Sequence, residues 1–296
     1  MSDKATEQNA SDTKQVGTKG VSHEEQRGQW MADFHSTKSA ALDSSKASES
    51  EIKEPAAPTG SHEIAEKYPE TPQSLVDKLK GDSYKLPTVQ IEPGSGAGEN
   101  VVIVTGNGVE APEFTEVYKA LQASGADVKV ATPDWMWDYQ NPPGAFSLAQ
   151  WLRNDHFAQS DMRVSQALDM AKNGQLDALY VPGGAGNTAA LRTDGGVQDL
   201  IKAVHASGDD VWTICHGPQV IISSEAFPKG TVMTGSPDIR PQDIPNAGFV
   251  VPKEQVAWDA NQRLLSGQDP NALDLFLTEM QKRLNQIHAE KTSPAA

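Results

Sequence analysis

Four consecutive β-branched residues, Val101-Val102-Ile103-Val104, constrain the fold of this chain most strongly. An uninterrupted apolar run of this length, bounded by polar and glycine residues, belongs to a strand covered on both faces. Such strands are joined by crossover helices, and the sequence supplies these in alternation. A helix is expected over 112–123, ending at Gly125, followed by the strand Asp127-Val128-Lys129-Val130-Ala131. A helix over 162–172 and the strand Ala178-Leu179-Tyr180-Val181 come next. A helix over 197–206 then stops at Gly208 and leads into Asp210-Val211-Trp212-Thr213-Ile214. That strand runs directly into Cys215-His216-Gly217-Pro218 and a further helix. The alternation predicts an α/β fold: a three-layer sandwich around a doubly wound, mostly parallel sheet. Gly248-Phe249-Val250-Val251 and Arg263-Leu264-Leu265-Ser266 read as short strands, and 271–287 as an amphipathic closing helix. No internal repeat is visible.

The 296 residues have room for one or two domains of ~100–200 residues each. The first 99 hold only twelve Leu, Ile, Val and Phe, with 17 acids against 11 bases. So little apolar surface cannot offset the entropy of ordering the chain. Residues 1–98 are therefore expected to form a disordered, low-complexity arm, with short helical patches at about 24–41 and 74–80. Pro93-Gly94-Ser95-Gly96-Ala97-Gly98 reads as a flexible joint. The folded domain is placed at 99–288 and a flexible tail at 289–296.

Twenty-five Lys and Arg against 40 Asp and Glu give a net charge of −15, the wrong sign for a phosphate backbone, so no nucleic-acid partner is expected. No stretch of about 18 apolar residues is present, which argues against a membrane span. The N-terminus lacks a basic region followed by an apolar stretch, and a cytoplasmic location is expected. Cys215 is the only cysteine, which excludes an internal disulfide and a multi-Cys zinc site. His156 and His205 show no metal-ligand spacing, and Gly183-Gly184-Ala185-Gly186 is not a dinucleotide fingerprint. Neither metal nor cofactor is expected.

In an open parallel sheet the ligand crevice lies at the carboxyl ends of the strands. Three glycine-containing loops should meet there: Gly106-Asn107-Gly108-Val109-Glu110-Ala111-Pro112, Pro182-Gly183-Gly184-Ala185-Gly186 and Cys215-His216-Gly217-Pro218. A thiol on a tight turn at a helix N-terminus is biased toward thiolate, which makes Cys215 a candidate nucleophile. The alternative is a buried small hydrophobe. Gly183 and Gly184 let backbone come close, so their amides, with that of His216, form a candidate oxyanion site. The aromatic stretch 133–161, with Trp135, Trp137, Tyr139, Phe146, Trp151 and Phe157, reads equally as a lid, a dimer contact or a satellite core.

Thr213-Ile214-Cys215-His216-Gly217-Pro218 resembles the nucleophile elbow of the ThiJ/PfpI superfamily, whose fold is related to class I glutamine amidotransferases. Tyr180-Val181-Pro182-Gly183-Gly184 is similar to its oxyanion turn, and Asn107-Gly108-Val109-Glu110 to the loop that delivers its glutamate. Asn246-Ala247-Gly248 and Leu265-Ser266-Gly267-Gln268-Asp269-Pro270 also resemble its C-terminal portion. The resemblance spans about 100–286. It implies that Glu110 approaches the Cys215 sulfur, where a carboxyl beside a thiolate would be partly protonated. A helix-start carboxylate is the alternative for Glu110. His216 matches the family's histidine and suits general acid–base work, unless only its amide is used. Asp238, in Gly235-Ser236-Pro237-Asp238, is similar to the aspartate that orients this histidine in the glyoxalase III branch, with an ordinary turn as its alternative. The protease-like branch takes its acid from a neighbouring subunit after the Gly-Gly loop, and Ala185-Gly186-Asn187-Thr188 has none.

The resemblance thus implies a cofactor-independent cysteine enzyme acting on a small reactive carbonyl or a glycated protein, converting methylglyoxal to lactate or deglycating. A homodimer is implied, as is usual for relatives. A non-enzymatic holding chaperone or cysteine redox sensor is the reading from another class, and a PfpI-type cysteine peptidase or amidohydrolase is a third.

Overall fold

The computed structural model describes residues 87–140, 143–148 and 157–292. The helical patches expected at 24–41 and 74–80, and the arm before residue 87, lie outside these residues, as do Trp151 and His156. Among the described residues the chain runs β1 (Asn100–Val104), α1 (Ala111–Ser124), β2 (Asp127–Thr132) and α2 (Asp134–Tyr139). A small antiparallel hairpin, β3 (Ala145–Ser147) and β4 (Phe157–Gln159), leads to β5 (Met162–Arg163) and α3 (Val164–Lys172). There follow β6 (Ala178–Val181), α4 (Ala185–Leu191), α5 (Gly195–Ser207), β7 (Asp210–Ile214) and α6 (Pro218–Ser224). The chain closes with α7 (Asp243–Asn246), β8 (Val256–Asp259), β9 (Leu264–Gly267), a 3-10 turn at Pro270–Ala272 and α8 (Leu273–Thr292).

Seven strands form one sheet in the order β5-β2-β1-β6-β7-β9-β8, parallel except for the β8 edge, which runs antiparallel to β9. Alternate residues of each strand feed opposite layers, as the two-residue period of a strand requires. Val101, Ile103, Tyr180, Trp212 and Ile214 face α1 and α8. Val102, Val104, Leu179, Val181 and Val211 face α3, α5 and α6. Both layers are fully covered, which is why the central strands read as continuous apolar runs. The sequence punctuates the helices as well. Gly125, at φ 85°, caps α1 through its N–H, and the Asp194 carboxylate accepts from the Val197 N–H at 3.0 Å to start α5.

Three expectations need correction. Residues 248–251 form only an isolated bridge, Val232 to Val250, because Gly248 turns at φ 93° and Pro252 has no N–H to extend a ladder. The edge strand is Val256–Asp259 instead. Pro93–Gly98 is a hydrogen-bonded set of turns, not a loose joint: Gly96 N–H donates to Ser124 O at 3.0 Å, and a Cβ on Gly96 would lie 2.5 Å from Ser124 Oγ. Val89 and Ile91 already pack on the core, so the ordered domain reaches back beyond residue 99. At the other end α8 runs past the expected 288 boundary to Thr292, and Lys291 Nζ binds Glu99 at 2.7 Å and Asp177 at 2.9 Å. No helix among the described residues is long and apolar enough to cross a membrane.

One charged cluster fastens α8 and the turn before β9 to the start of β7. Asp210, fully buried at the start of β7, accepts from Arg263 Nε at 2.7 Å, Arg283 Nε at 3.2 Å and Trp212 Nε1 at 3.1 Å. The Arg283 guanidinium lies 3.9 Å from the centre of the Trp258 ring. Removing the carboxylate strands a buried guanidinium, so Asp210→Ala is expected to lower the unfolding free energy by about 3–5 kcal/mol. Urea denaturation checks this, and a loss well under 1 kcal/mol would contradict it.

Candidate active site

β7 delivers Cys215 to the carboxyl edge of the sheet. Cys215 N–H makes a last bond to Gly267 O at 3.1 Å, and the chain then turns sharply, with Gly217 N–H on Ile214 O at 2.9 Å. The turn puts Cys215 at φ 59°, in the left-handed region that side-chain-bearing residues rarely occupy. Gly217 makes the turn feasible, since a Cβ there would lie 2.3 Å from Thr213 Oγ1 and 2.5 Å from Val181 O. The side chain of Cys215 is largely covered, at 8% exposure.

The carboxyl group at the sulfur is that of Glu113, not Glu110. Glu110 is the N-cap residue of α1 and makes no side-chain cap bond, whereas Glu113, one turn further, is fully buried and lies against Cys215. Its Oε2 accepts the Gly183 N–H at 2.8 Å. The two acids are three residues apart, so only the starting point of the helix decides which one points inward. A usable signal existed: Glu113 shares the helical stripe of Val117, Ala120 and Leu121, where an acid at +4, +7 and +8 spacing must be buried. Glu110 remains close enough to act on both groups electrostatically.

Burial pushes the Glu113 carboxyl well above the ordinary glutamate value, and the Glu110 carboxylate adds to the effect against the opposing influence of Cys215 and the Gly183 N–H. Burial, followed by the negative charge of Glu113, likewise pushes the Cys215 thiol up, with the Gly184 N–H opposing. Burial favours the neutral form of each group, and two acids in one dry site cannot both be charged cheaply, so the pair keeps at least one proton at neutral pH.

His216 and Asp238 come together at the same point. His216 Nδ1 is 3.3 Å from Cys215 Sγ, and its Nε2 is 2.9 Å from Asp238 Oδ2. Burial of Asp238 is slight and works the other way, but bonds from Ser236 and His216 hold its carboxyl below the ordinary aspartate value. The Gly-Gly turn sits against both groups. A Cβ on Gly183 would lie 2.5 Å from Glu113 Oε2 and 2.6 Å from Cys215 Cβ, and one on Gly184, at φ 95°, would lie 2.3 Å from Gly108 O. Of the expected oxyanion donors, Gly183 N–H is committed to Glu113, while Gly184 N–H is directed at the sulfur.

Asn187, on α4, was missed by sequence reasoning because nothing in the local pattern marks it. It is fully buried and uses its whole amide. Oδ1 accepts from Gly106 N–H at 2.7 Å and Thr105 Oγ1 at 3.2 Å, and Nδ2 donates to Pro182 O at 3.0 Å and Gly183 O at 3.1 Å. It therefore fixes the loop after β1 to the loop after β6. The described part of the aromatic stretch is divided: Phe146 and Met136 belong to the main core layer beside α1, with Trp135 packed against it, while Tyr139 and Phe157 are exposed. Trp135 Nε1 also donates to Asp194 at 3.0 Å. Among the described residues no group of His, Cys, Asp and Glu is placed to hold a metal ion.

The Glu113 shift has a consequence for stability. Folding favours its protonated form, so its contribution is fully present below the unfolded value near 4.5 and is lost as pH rises through the folded value. In a Cys215→Ser background, urea stability is expected to fall between pH 5 and 8 more steeply with Glu113 than with Glu113→Gln. Equal pH slopes in the two proteins would contradict a raised Glu113.

The comparisons with known proteins concern the family and the fold. The DJ-1/PfpI family model matches residues 99–283. General stress protein 18 of Bacillus subtilis is 28% identical over 183 residues, covering 62% of this chain and 95% of that protein. A second protein of the same organism, named "Putative cysteine protease YraA", is 31% identical over 118 residues, 40% of this chain and 67% of that one. A crystal structure of a two-domain protein from Anabaena variabilis, containing DJ-1/ThiJ/PfpI-like and ferritin-like domains, superposes with a TM-score of 0.55 at 26% identity. The match covers 67% of this chain and about half, 52%, of that longer one. The elbow, the Gly-Gly turn and the matched region together place this chain in the DJ-1/PfpI family.

Proposed function

We propose that the protein is a cofactor-independent cysteine enzyme that detoxifies reactive α-oxoaldehydes, converting methylglyoxal to lactate, with the related deglycation of adducts as the same chemistry on a larger substrate. The observation that carries this reading is the buried Glu113 carboxyl meeting Cys215 across Gly183, with His216 Nδ1 3.3 Å from the sulfur. An acid of raised pKa beside a nucleophile can give and take a proton without a metal. The stress-protein relative supports a protective role.

In the proposed sequence the Cys215 sulfur adds to the aldehyde carbon, and the proton shared with Glu113 passes to the carbonyl oxygen, giving a neutral hemithioacetal. His216, oriented by Asp238, takes the proton from that carbon and returns it to the adjacent carbon, while Glu113 takes the hydroxyl proton and passes it to the adjacent oxygen, by way of an enediol. This leaves the thioester of lactate. Water then attacks the thioester, its hydroxyl joins the acyl carbon, its proton returns to the Cys215–Glu113 pair, and lactic acid departs. The sum is methylglyoxal plus water giving lactate, with no external oxidant or reductant.

A peptidase reading draws on the name of the YraA relative. The lactate assay separates the two. With methylglyoxal as the only substrate, the reduced protein is expected to form lactate and Cys215→Ser none. Glu113→Gln should lose at least about 10²-fold in turnover, within the usual range for a general acid–base group. Glu110→Gln should retain turnover. Absence of lactate from the intact protein, with cleavage of an unfolded peptide substrate instead, would overturn the proposal in favour of the peptidase.

A further inference from the structure

The loop carrying Asp238 is joined to the nucleophile by one residue that neither the family resemblance nor the proposed chemistry uses. Ser236 is almost fully buried, at 7% exposure, while the Asp238 side chain two residues on is 65% exposed. The Ser236 N–H donates to the carbonyl oxygen of Cys215 at 2.7 Å. The Ser236 hydroxyl donates to Asp238 Oδ1, which leaves Oδ2 facing His216 Nε2 at 2.9 Å. The Ser236 carbonyl accepts the Ile239 and Arg240 N–H groups at 3.1 and 3.0 Å, which fixes the turn itself. A single residue therefore grips the left-handed peptide at the nucleophile with its backbone and the orienting acid with its side chain.

We propose that Ser236 is a positioning residue that locks Asp238 onto His216 and ties that pair to the strained Cys215 turn. An aspartate exposed to this extent would otherwise sample solvent-facing rotamers, and its contact with His216 would be lost to side-chain entropy and screening. The hydroxyl removes that freedom. The lower-than-ordinary Asp238 carboxyl is consistent with a donor held on Oδ1. The inference rests on the Cys215–His216–Asp238 reading of the site but not on any particular substrate.

Ser236→Ala tests it cleanly, since it keeps the N–H to Cys215 O and deletes only the hydroxyl. Ser236→Thr keeps the hydroxyl and serves as the rescue. Carbon-13 carboxyl titration is expected to move the Asp238 midpoint upward in Ser236→Ala and to return it in Ser236→Thr. The rate of iodoacetamide alkylation of Cys215 at neutral pH should fall about fivefold in Ser236→Ala, the worth of one hydrogen bond. Because the two groups act as a unit, Ser236→Ala combined with Asp238→Ala should alkylate no more slowly than Asp238→Ala alone. An unmoved Asp238 midpoint, or losses that multiply in the double variant, would overturn the inference. Neither readout requires turnover, so a failure of methylglyoxal conversion would sink the proposed function and leave this result standing on its own.

Discussion

The Glu113 carboxyl and the Cys215 sulfur, buried against one another, are the contact around which the rest of the site is arranged. At short range in a low-dielectric interior the repulsion between two anions far exceeds what it would be in water, so the pair titrates as a unit and keeps at least one proton. Everything adjacent bears on where that proton resides. The Gly183 N–H stabilises the carboxylate, the Gly184 N–H stabilises the sulfur, and Glu110 disfavours charge on both. A site so balanced can release a thiolate to an electrophile and recover it with little reorganisation, which is the physical basis of the proposed chemistry.

The sheet topology is what makes the contact available. β1 and α1 deliver Glu113, the turn after β6 delivers the two glycines, and β7 delivers Cys215, all at the carboxyl edge of three neighbouring parallel strands. Asn187 clamps the first two loops together, and the Ser236 turn holds the third. The two glycines are close-approach residues in the strict sense, since a Cβ at either would overlap atoms that the site cannot move. The same packing that strains Cys215 thus also fixes the distance between its sulfur and the acid.

Much of the fold was legible because its central strands are buried on both faces and therefore read as unbroken apolar runs. The edge was not. Val256–Asp259 is half-buried and carries a weaker signal than the apolar but turn-bound residues 248–251. The turn at 93–98 was misread because its glycines and serine look like a linker, whereas their value lies in letting backbone pack against Ser124. At the site, Cys215, His216 and the Gly-Gly turn stood out through local composition. The choice between Glu110 and Glu113 turned on helical phase, which a loop motif alone does not carry. Asn187 and Ser236 act through backbone groups distant in sequence, and no periodicity or motif marks such residues.

The shared proton can be observed directly, because Cys215 is the only cysteine in the chain and any ultraviolet thiolate absorbance reports on it alone. Titrating that absorbance in the reduced protein is the most direct test of the account. A thiol that titrates above the ordinary cysteine value, and moves down toward it in Glu113→Gln, is the result the account predicts. A thiolate already formed at neutral pH, and unchanged by Glu113→Gln, would contradict the account.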